Sequence, residues 1–423
     1  MAIHTVVSGD NLWRISISYG VPISTLKVVN GLVSDRLVPG LNLYIPDQQL
    51  PVRYYQIKPG DTYWKLSQQF KTSVQAIIAA NPGINPNALP VGLRIRIPTL
   101  QKYSMQSLVF FDALEGSPYL DILDDLAGSI TYLAIFTYSF TREGELLSID
   151  DASILQKTKE LNIKPLLVIS NYEEGMFSPA LADNVLHNSE RRSALVRNLV
   201  SKVNDKGYAG VSIDFEFVPP DRRNDFTAFL EELKEGLGNL ILQINAHSKS
   251  SDMPTNRLVG FLNYRAIGEI VDIVSIMTID YGYAIGPPDP IAPVWWVEQV
   301  LMYATGQINR RKIMMAMSLY GYDWTLPLQT GRVAEMLSVQ NAQNRAIEAW
   351  IPIQYEWVAE APNYGYRYMN MVDHLVWFED IQSITAKYKQ MEVYNLLGAT
   401  YWRLRFKFPQ NWAYVKKNIF VLK

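Results

Sequence analysis

Two acidic residues stand two apart in an otherwise apolar run, GVSIDFEFV, at Asp214 and Glu216. In an extended strand, side chains alternate between faces, so Ser212, Asp214 and Glu216 share one. Burying two carboxylates on one face is costly unless they are paired or used. Crowding them raises the pKa of one, which suits a general acid working near neutral pH. The plainer alternative is an Asp and a Glu that face solvent at a strand end. Other chemistries are narrowed by what the chain lacks. It has no cysteine, which removes thiol nucleophiles, disulfides and thiolate metal sites. His4, His187, His247 and His374 show no ligand spacing, so neither a metal nor another cofactor is expected. GVSID is not the GxSxG elbow of a serine hydrolase, because Asp214 stands where the second glycine belongs.

Such a pair needs a rigid frame. From about residue 106 onward, apolar runs of strand length alternate with helical patterns, at 108–111, 131–136, 165–169, 210–217, 241–245, 273–278, 313–319 and 399–402. Near-continuous apolar strands separated by helices indicate a parallel sheet covered on both faces. Eight of them predict an α/β domain, a (β/α)8 TIM barrel, over residues 104–423. Functional groups of such a barrel gather at the C-terminal ends of the strands, which is where 210–217 carries its acids. The stretch 322–377 is too long for one crossover and predicts a small α+β insertion between the seventh strand and its helix.

The first hundred residues repeat. Gly9, Asp10, Trp13, Ser16 and Asn30 recur as Gly60, Asp61, Trp64, Ser67 and Asn81; Gly40, Leu41, Ile45 and Pro46 recur, one residue later, as Gly92, Leu93, Ile97 and Pro98. Each unit reads β-α-α-β: a strand at 5–7 or 55–57, two amphipathic helical segments, and a last strand at 43–45 in the first unit. Asp10 and Asp61 sit where a helix N-cap is wanted. The units span 1–47 and 53–99, joined by short linkers at 47–52 and 99–105, so the chain is multidomain.

The chain's 423 residues are too many for one ordinary domain. A hydrophobic content of 48% and a net charge of −2 supply soluble cores and weigh against a broad nucleic-acid surface. No run approaches the ~18 uncharged apolar residues of a membrane span. The start, MAIHTVVSGDNLWRI, lacks the basic segment and apolar core of a signal peptide, so export by the usual route is not expected.

Both repeats resemble LysM modules, which bind glycans containing N-acetylglucosamine. The resemblance implies that Gly9, Asp10, Asn11, Asn30 and Gly31 line one groove, and Gly60, Asp61, Thr62, Asn81 and Pro82 the other. GVSIDFE is similar to the DGxDxDxE strand of glycoside hydrolase family 18. Met277-Thr278-Ile279-Asp280, Leu319-Tyr320-Gly321-Tyr322-Asp323-Trp324, His374-Leu375-Val376-Trp377-Phe378-Glu379-Asp380 and Tyr401-Trp402 resemble further elements of that family, in its order. The resemblance implies retaining, substrate-assisted hydrolysis of a β-linkage after an N-acetyl sugar. Glu216 is then the proton donor, Asp214 the acetamide clamp and Trp402 the sugar floor, with Met277, Asp280 and Tyr320 as further substrate contacts. Two positions depart from the pattern. Ser212 replaces an Asp, and Ile279 replaces the tyrosine that usually bonds the acetamide, leaving Tyr281 or Tyr283 to reach it. The module order, IDFEFVPPDRR and FPQNW resemble the spore cortex-lytic glycosidases of Bacillus-type bacteria. That implies N-acetylglucosaminidase action on cortex peptidoglycan during germination, a place at the coat–cortex boundary, and spore-coat proteins as partners. A chitinase and a non-catalytic glycan-binding coat protein are the alternatives.

Overall fold

The computed structural model describes residues 2–46, 49–113, 119–329, 331–367 and 372–423. Eight parallel strands form the centre: Tyr103–Asp112, Tyr132–Phe140, Lys164–Ser170, Gly210–Asp214, Ile241–His247, Ile273–Met277, Ile313–Ser318 and Gly398–Trp402. They pair in that order, and the eighth returns to the first through Thr400↔Leu108 and Tyr401↔Val109, which closes the barrel. Every predicted run is one of these strands. Helices cover the outside with apolar faces at helical spacing; Arg223–Leu237, for example, buries Phe226, Phe229, Leu230, Leu233 and Leu237. The barrel interior carries small polar side chains. Ser212, Gln243, Ser275 and Thr400 are all buried, and the Ser275 and Thr400 hydroxyls lie 2.6 Å apart. A short C-terminal strand, Ile419–Val421, pairs with the start of the first barrel strand. No helix among the described residues is long and apolar enough to cross a membrane.

The insertion after the seventh barrel strand is an antiparallel sheet backed by one helix. Its strands run Glu335–Ser338, Tyr320–Leu326, Asp373–Trp377, Ala361–Arg367 and Gln354–Glu356 in spatial order, and the helix is Val339–Glu348.

Each N-terminal unit is β-α-α-β as expected. The first pairs Ala2–Thr5 with Asn42–Ile45 around helices Leu12–Tyr19 and Ile23–Asn30. The second pairs Val52–Gln56 with Arg94–Pro98 around Tyr63–Gln69 and Val74–Ala80. The caps differ from the expectation by one residue. Asn11 and Thr62 accept from the amides of Arg14 and Lys65, whereas Asp10 and Asp61 fold back onto the amides of Val7 and Lys58. A helix start needs an acceptor in the extended Ncap position, and the residue after each Asp occupies it.

The two units attach differently. The core of the first (Val6, Leu12, Leu26, Leu43) runs without a break into the insertion (Leu337, Ala342, Ile347, Phe378). Buried polar bonds tie the same unit to later helices: Asn42 Nδ2 donates at 2.6 Å to Oδ2 of Asp380, the N-cap of helix Ile381–Val393, and Gln410 Nε2, in helix Pro409–Asn418, donates to Asn30 Oδ1 at 2.9 Å. Gly40, at φ +84°, lies so close that a Cβ there would stand 1.8 Å from the Ile353 carbonyl oxygen. The second unit keeps its own core of Ile57, Leu66, Ile77 and Ile97. It meets helix Ile381–Val393 through Glu392, which accepts from Arg53 Nε and the Tyr54 amide, each at 2.9 Å. Burial pushes the Glu392 carboxyl up to about 7, against the pull of Arg53.

Candidate active site

A cavity of about 500 Å³ opens at the C-terminal ends of the barrel strands, and Asp214 and Glu216 both line it. Asp214 closes the fourth strand and is 7% exposed. Asn245 Nδ2, on the fifth strand, donates to its Oδ1 at 3.0 Å. Burial, and then the neighbouring Glu216 charge, push the Asp214 carboxyl up to about 7, while the Asn245 bond and His247 pull the other way.

Glu216 stands past the strand. The apolar run suggests a strand through Phe217, but pairing stops at Asp214. Asn171 is the reason. Its Oδ1 accepts from the Glu216 amide at 2.9 Å and its Nδ2 donates to the Glu216 carbonyl at 2.9 Å, so one side chain takes both main-chain groups of Glu216. The backbone then turns at Phe217, φ +55°. The Glu216 carboxylate points into the cavity with His247 Nε2 at 3.4 Å from Oε2.

Across the barrel, Trp402 lines the same cavity, braced by Phe110 and Phe136 at ring-centroid distances of 5.3 Å. Arg403 and Asp112 form an ion pair beside it. Asp280 also lines the cavity, and its Oδ1 accepts from Tyr320 Oη at 2.7 Å and Tyr322 Oη at 3.1 Å. Burial raises its pKa, and the two tyrosine bonds lower it.

Asp214, Glu216, Met277, Asp280 and Trp402 are thus brought to one cavity. Tyr320 does not line it but is fully buried behind Asp280. Tyr281 and Tyr283 do not line it either. The chain turns at Asp280, φ +59°, and carries Tyr281 outward onto Trp295 and Trp296. Tyr283 packs against Gly286 and is 46% exposed. Ile279 therefore presents an apolar wall where a tyrosine was sought. Asn171, Asn245 and His247 escaped the sequence reading. The polar alternation Gln243, Asn245, His247 in the fifth strand was the available signal.

The expected glycan grooves divide similarly. In the second unit, a cavity of about 370 Å³ is lined by Asp61, Thr62, Tyr63, Trp64, Pro86 and Asn87 among others. Gly60 and Pro82 are exposed outside that lining. Asn81 is buried, its Nδ2 donating to the Ile77 and Arg96 carbonyls at 2.7 Å and its Oδ1 accepting from the Arg96 amide. Asn30 is its counterpart and is 0% exposed. Both are internal staples between helix and strand, with no free polar group to offer a ligand. Gly31 packs on Gln340 and Pro409, and Asn344 Nδ2 donates to its carbonyl at 2.9 Å. Gly9 and Asn11 are exposed and Asp10 is half-buried.

Comparison with known proteins places this arrangement. The LysM domain matches residues 4–46 and 55–98, and Glycosyl hydrolases family 18 matches residues 115–406. The cortical fragment-lytic enzyme of Bacillus anthracis is 32% identical over 427 residues, covering 99% of this chain and 98% of that protein. The crystal structure of the Bacillus cereus spore cortex-lytic enzyme SleL superposes with a TM-score of 0.87 at 31% identity, covering 100% of this chain and 98% of that one. That of the Bacillus megaterium enzyme superposes at 0.84 with 32% identity, over the same shares. With its acids at the mouth of a closed barrel and its family elements in order, the chain belongs to glycosyl hydrolase family 18 and is a glycoside hydrolase preceded by two LysM domains.

Proposed function

We propose that this enzyme cleaves, with retention, the β-1,4 bond that follows N-acetylglucosamine in spore cortex peptidoglycan, by substrate assistance. The observation that carries the reading is that Asp214 and Glu216, two residues apart at the end of the fourth strand, line one cavity with Asp280 and Trp402, in the pattern of the family's DGxDxDxE strand. In the substrate-assisted scheme that this pattern implies, no second carboxylate is the nucleophile. The nucleophile is the substrate's own acetamide oxygen. Glu216 protonates the leaving oxygen as the acetamide carbonyl attacks the anomeric carbon. Asp214 accepts from the acetamide N–H and stabilises the positive oxazolinium. Glu216 then takes a proton from the water that opens the ring. Asp280 meets a sugar hydroxyl, and Trp402 supplies the apolar floor.

The cortex as substrate is supported by the cortical and spore-lytic relatives matched over nearly their whole length. In this reading, residues 1–47 and 53–99 are glycan-binding units, 104–423 is the catalytic domain, and the protein acts at the coat–cortex boundary, beside coat proteins. Chitin is the second reading, because it presents the same N-acetylglucosamine. The test is to incubate the purified enzyme with cortex fragments and with chitin oligomers and to read the products by mass spectrometry. New N-acetylglucosamine reducing ends from cortex fragments are expected. Products from chitin alone sink the cortex reading. Glu216→Gln is expected to lower kcat by at least ~10²-fold, the lower range of general-acid contributions.

A further inference from the structure

The fourth and fifth barrel strands run parallel in a register that pairs Ser212 with Gln243 and Ile213 with Ile244. The same register, carried on from Ser212 and Gln243, sets Asn245 beside Asp214, whereas Glu216 lies past the end of the pairing and is approached by His247 from the end of the fifth strand. The side chains meet accordingly. Gln243 Nε2 donates to Asn245 Oδ1 at 2.8 Å, which orients the Asn245 amide so that its Nδ2 donates to Asp214 at 3.0 Å. Past the last rung, His247 Nε2 stands 3.4 Å from Glu216 Oε2 and is buried with no hydrogen-bond partner among the described residues. The His247 main-chain carbonyl accepts from Tyr264 Oη at 2.5 Å, and the imidazole lies beside Phe217 with ring centroids 6.1 Å apart.

We propose that His247 is a positioning residue for the glycosidase acid, holding Glu216 Oε2 through Nε2–H so that the other oxygen carries the proton to the leaving group. The assignment rests on the reading of Glu216 as the acid. With a proton on Nε2, that nitrogen is a donor to the carboxylate. That N–H serves both forms of Glu216, because Oε2 remains an acceptor whether or not the other oxygen is protonated. A separation of 3.4 Å is long for a finished bond, and catalytic bonds of this kind tighten when substrate arrives. The groups that face the ring are acidic: Glu216 and Asp214 from the fourth strand and Asp280 beyond the sixth. The nearest lysine in sequence, Lys249, is engaged elsewhere, with Nζ on Asp252 at 3.0 Å and the Leu262 carbonyl at 2.6 Å.

The experiment measures kcat and KM on soluble cortex fragments from pH 5 to 8, for the intact enzyme and for His247→Ala, His247→Gln and Glu216→Gln. His247→Ala is expected to lose about tenfold in kcat with KM within about twofold, which is the lower end of what one hydrogen bond to a charged group contributes. His247→Gln keeps a side-chain N–H donor and is expected to recover most of kcat. A purely structural histidine would not give that rescue. Wild-type kcat in His247→Ala at every pH, or a loss that Gln does not rescue, overturns the proposal. Near-normal activity in Glu216→Gln overturns the acid assignment, and this inference with it. A substrate-independent readout separates the two. In NMR spectra of the ring carbons of the four histidines, Glu216→Gln is expected to displace the His247 signal and leave the other three in place. An unmoved His247 signal overturns the contact itself.

Discussion

Asp214→Asn should make the protein more stable as it makes the enzyme worse, and the gain should depend on pH. The Asp214 carboxyl is raised from 3.8 to about 7, a little over three pH units. At about 1.4 kcal/mol per unit this is roughly 4 kcal/mol of preference for the protonated form in the folded state. Between pH 3.8 and 7 the folded chain binds a proton that the unfolded chain has lost. Stability therefore falls as pH rises through that window and levels off above it. Asparagine keeps the shape and the Asn245 contact but has no charge to bury. The difference in unfolding free energy between Asp214→Asn and the unaltered protein should grow from near its acid value at pH 4 by roughly 4 kcal/mol at pH 8. Denaturant unfolding at pH 4, 5, 6, 7 and 8, followed by tryptophan fluorescence, measures it, with kcat recorded on the same samples. A difference that stays flat over this range would falsify the account of Asp214 as a carboxylate held in a desolvated site.

Two further changes test the modules. Gly40→Ala places a Cβ against the Ile353 carbonyl at a positive φ and should cost more than about 2 kcal/mol in denaturant unfolding; a cost under ~0.5 kcal/mol would show that the first LysM unit is not wedged against the insertion. In the Glu216→Gln background, Trp64→Ala should weaken binding to insoluble chitin or cortex about tenfold, because Trp64 lines the second unit's cavity and is 65% exposed. Trp13, at the matching position of the first unit, is 64% exposed, and Trp13→Ala should weaken binding likewise; a change of less than about twofold would mean that the first unit does not grip the glycan.

The elements were legible where apolar pattern decides them. All eight barrel strands coincide with apolar runs, because parallel strands are covered on both faces and leave a continuous signature. The fourth strand's end was not legible. GVSIDFEFV stays apolar through Phe217, and pairing stops at Asp214 only because Asn171, 45 residues upstream of Glu216, claims the backbone of Glu216. Local pattern carries no trace of such a partner. The two acids were legible because they stand two apart in one apolar run, whereas Asn245 and His247 reach them from the next strand, where adjacency has no fixed chain spacing. Tyr281 and Tyr283 were sought inside the cavity because they follow Asp280; the left-handed turn at Asp280 sends them out. Asn30 and Asn81 look like turn residues in sequence, and only the strand folded over them shows that they are staples.

The seam between the first LysM unit and the insertion also sets a schedule for the nascent chain. Asn344 meets the Gly31 carbonyl across 313 residues of sequence. At synthesis rates of roughly 5–20 residues per second, the first unit emerges on the order of 15–60 s before the surface it packs on exists. Until then the apolar side chains that it shares with Leu337, Ile347 and Phe378 have no partner, and the barrel must be nearly finished before they gain one. The first LysM unit, made before the barrel, is therefore completed only after it.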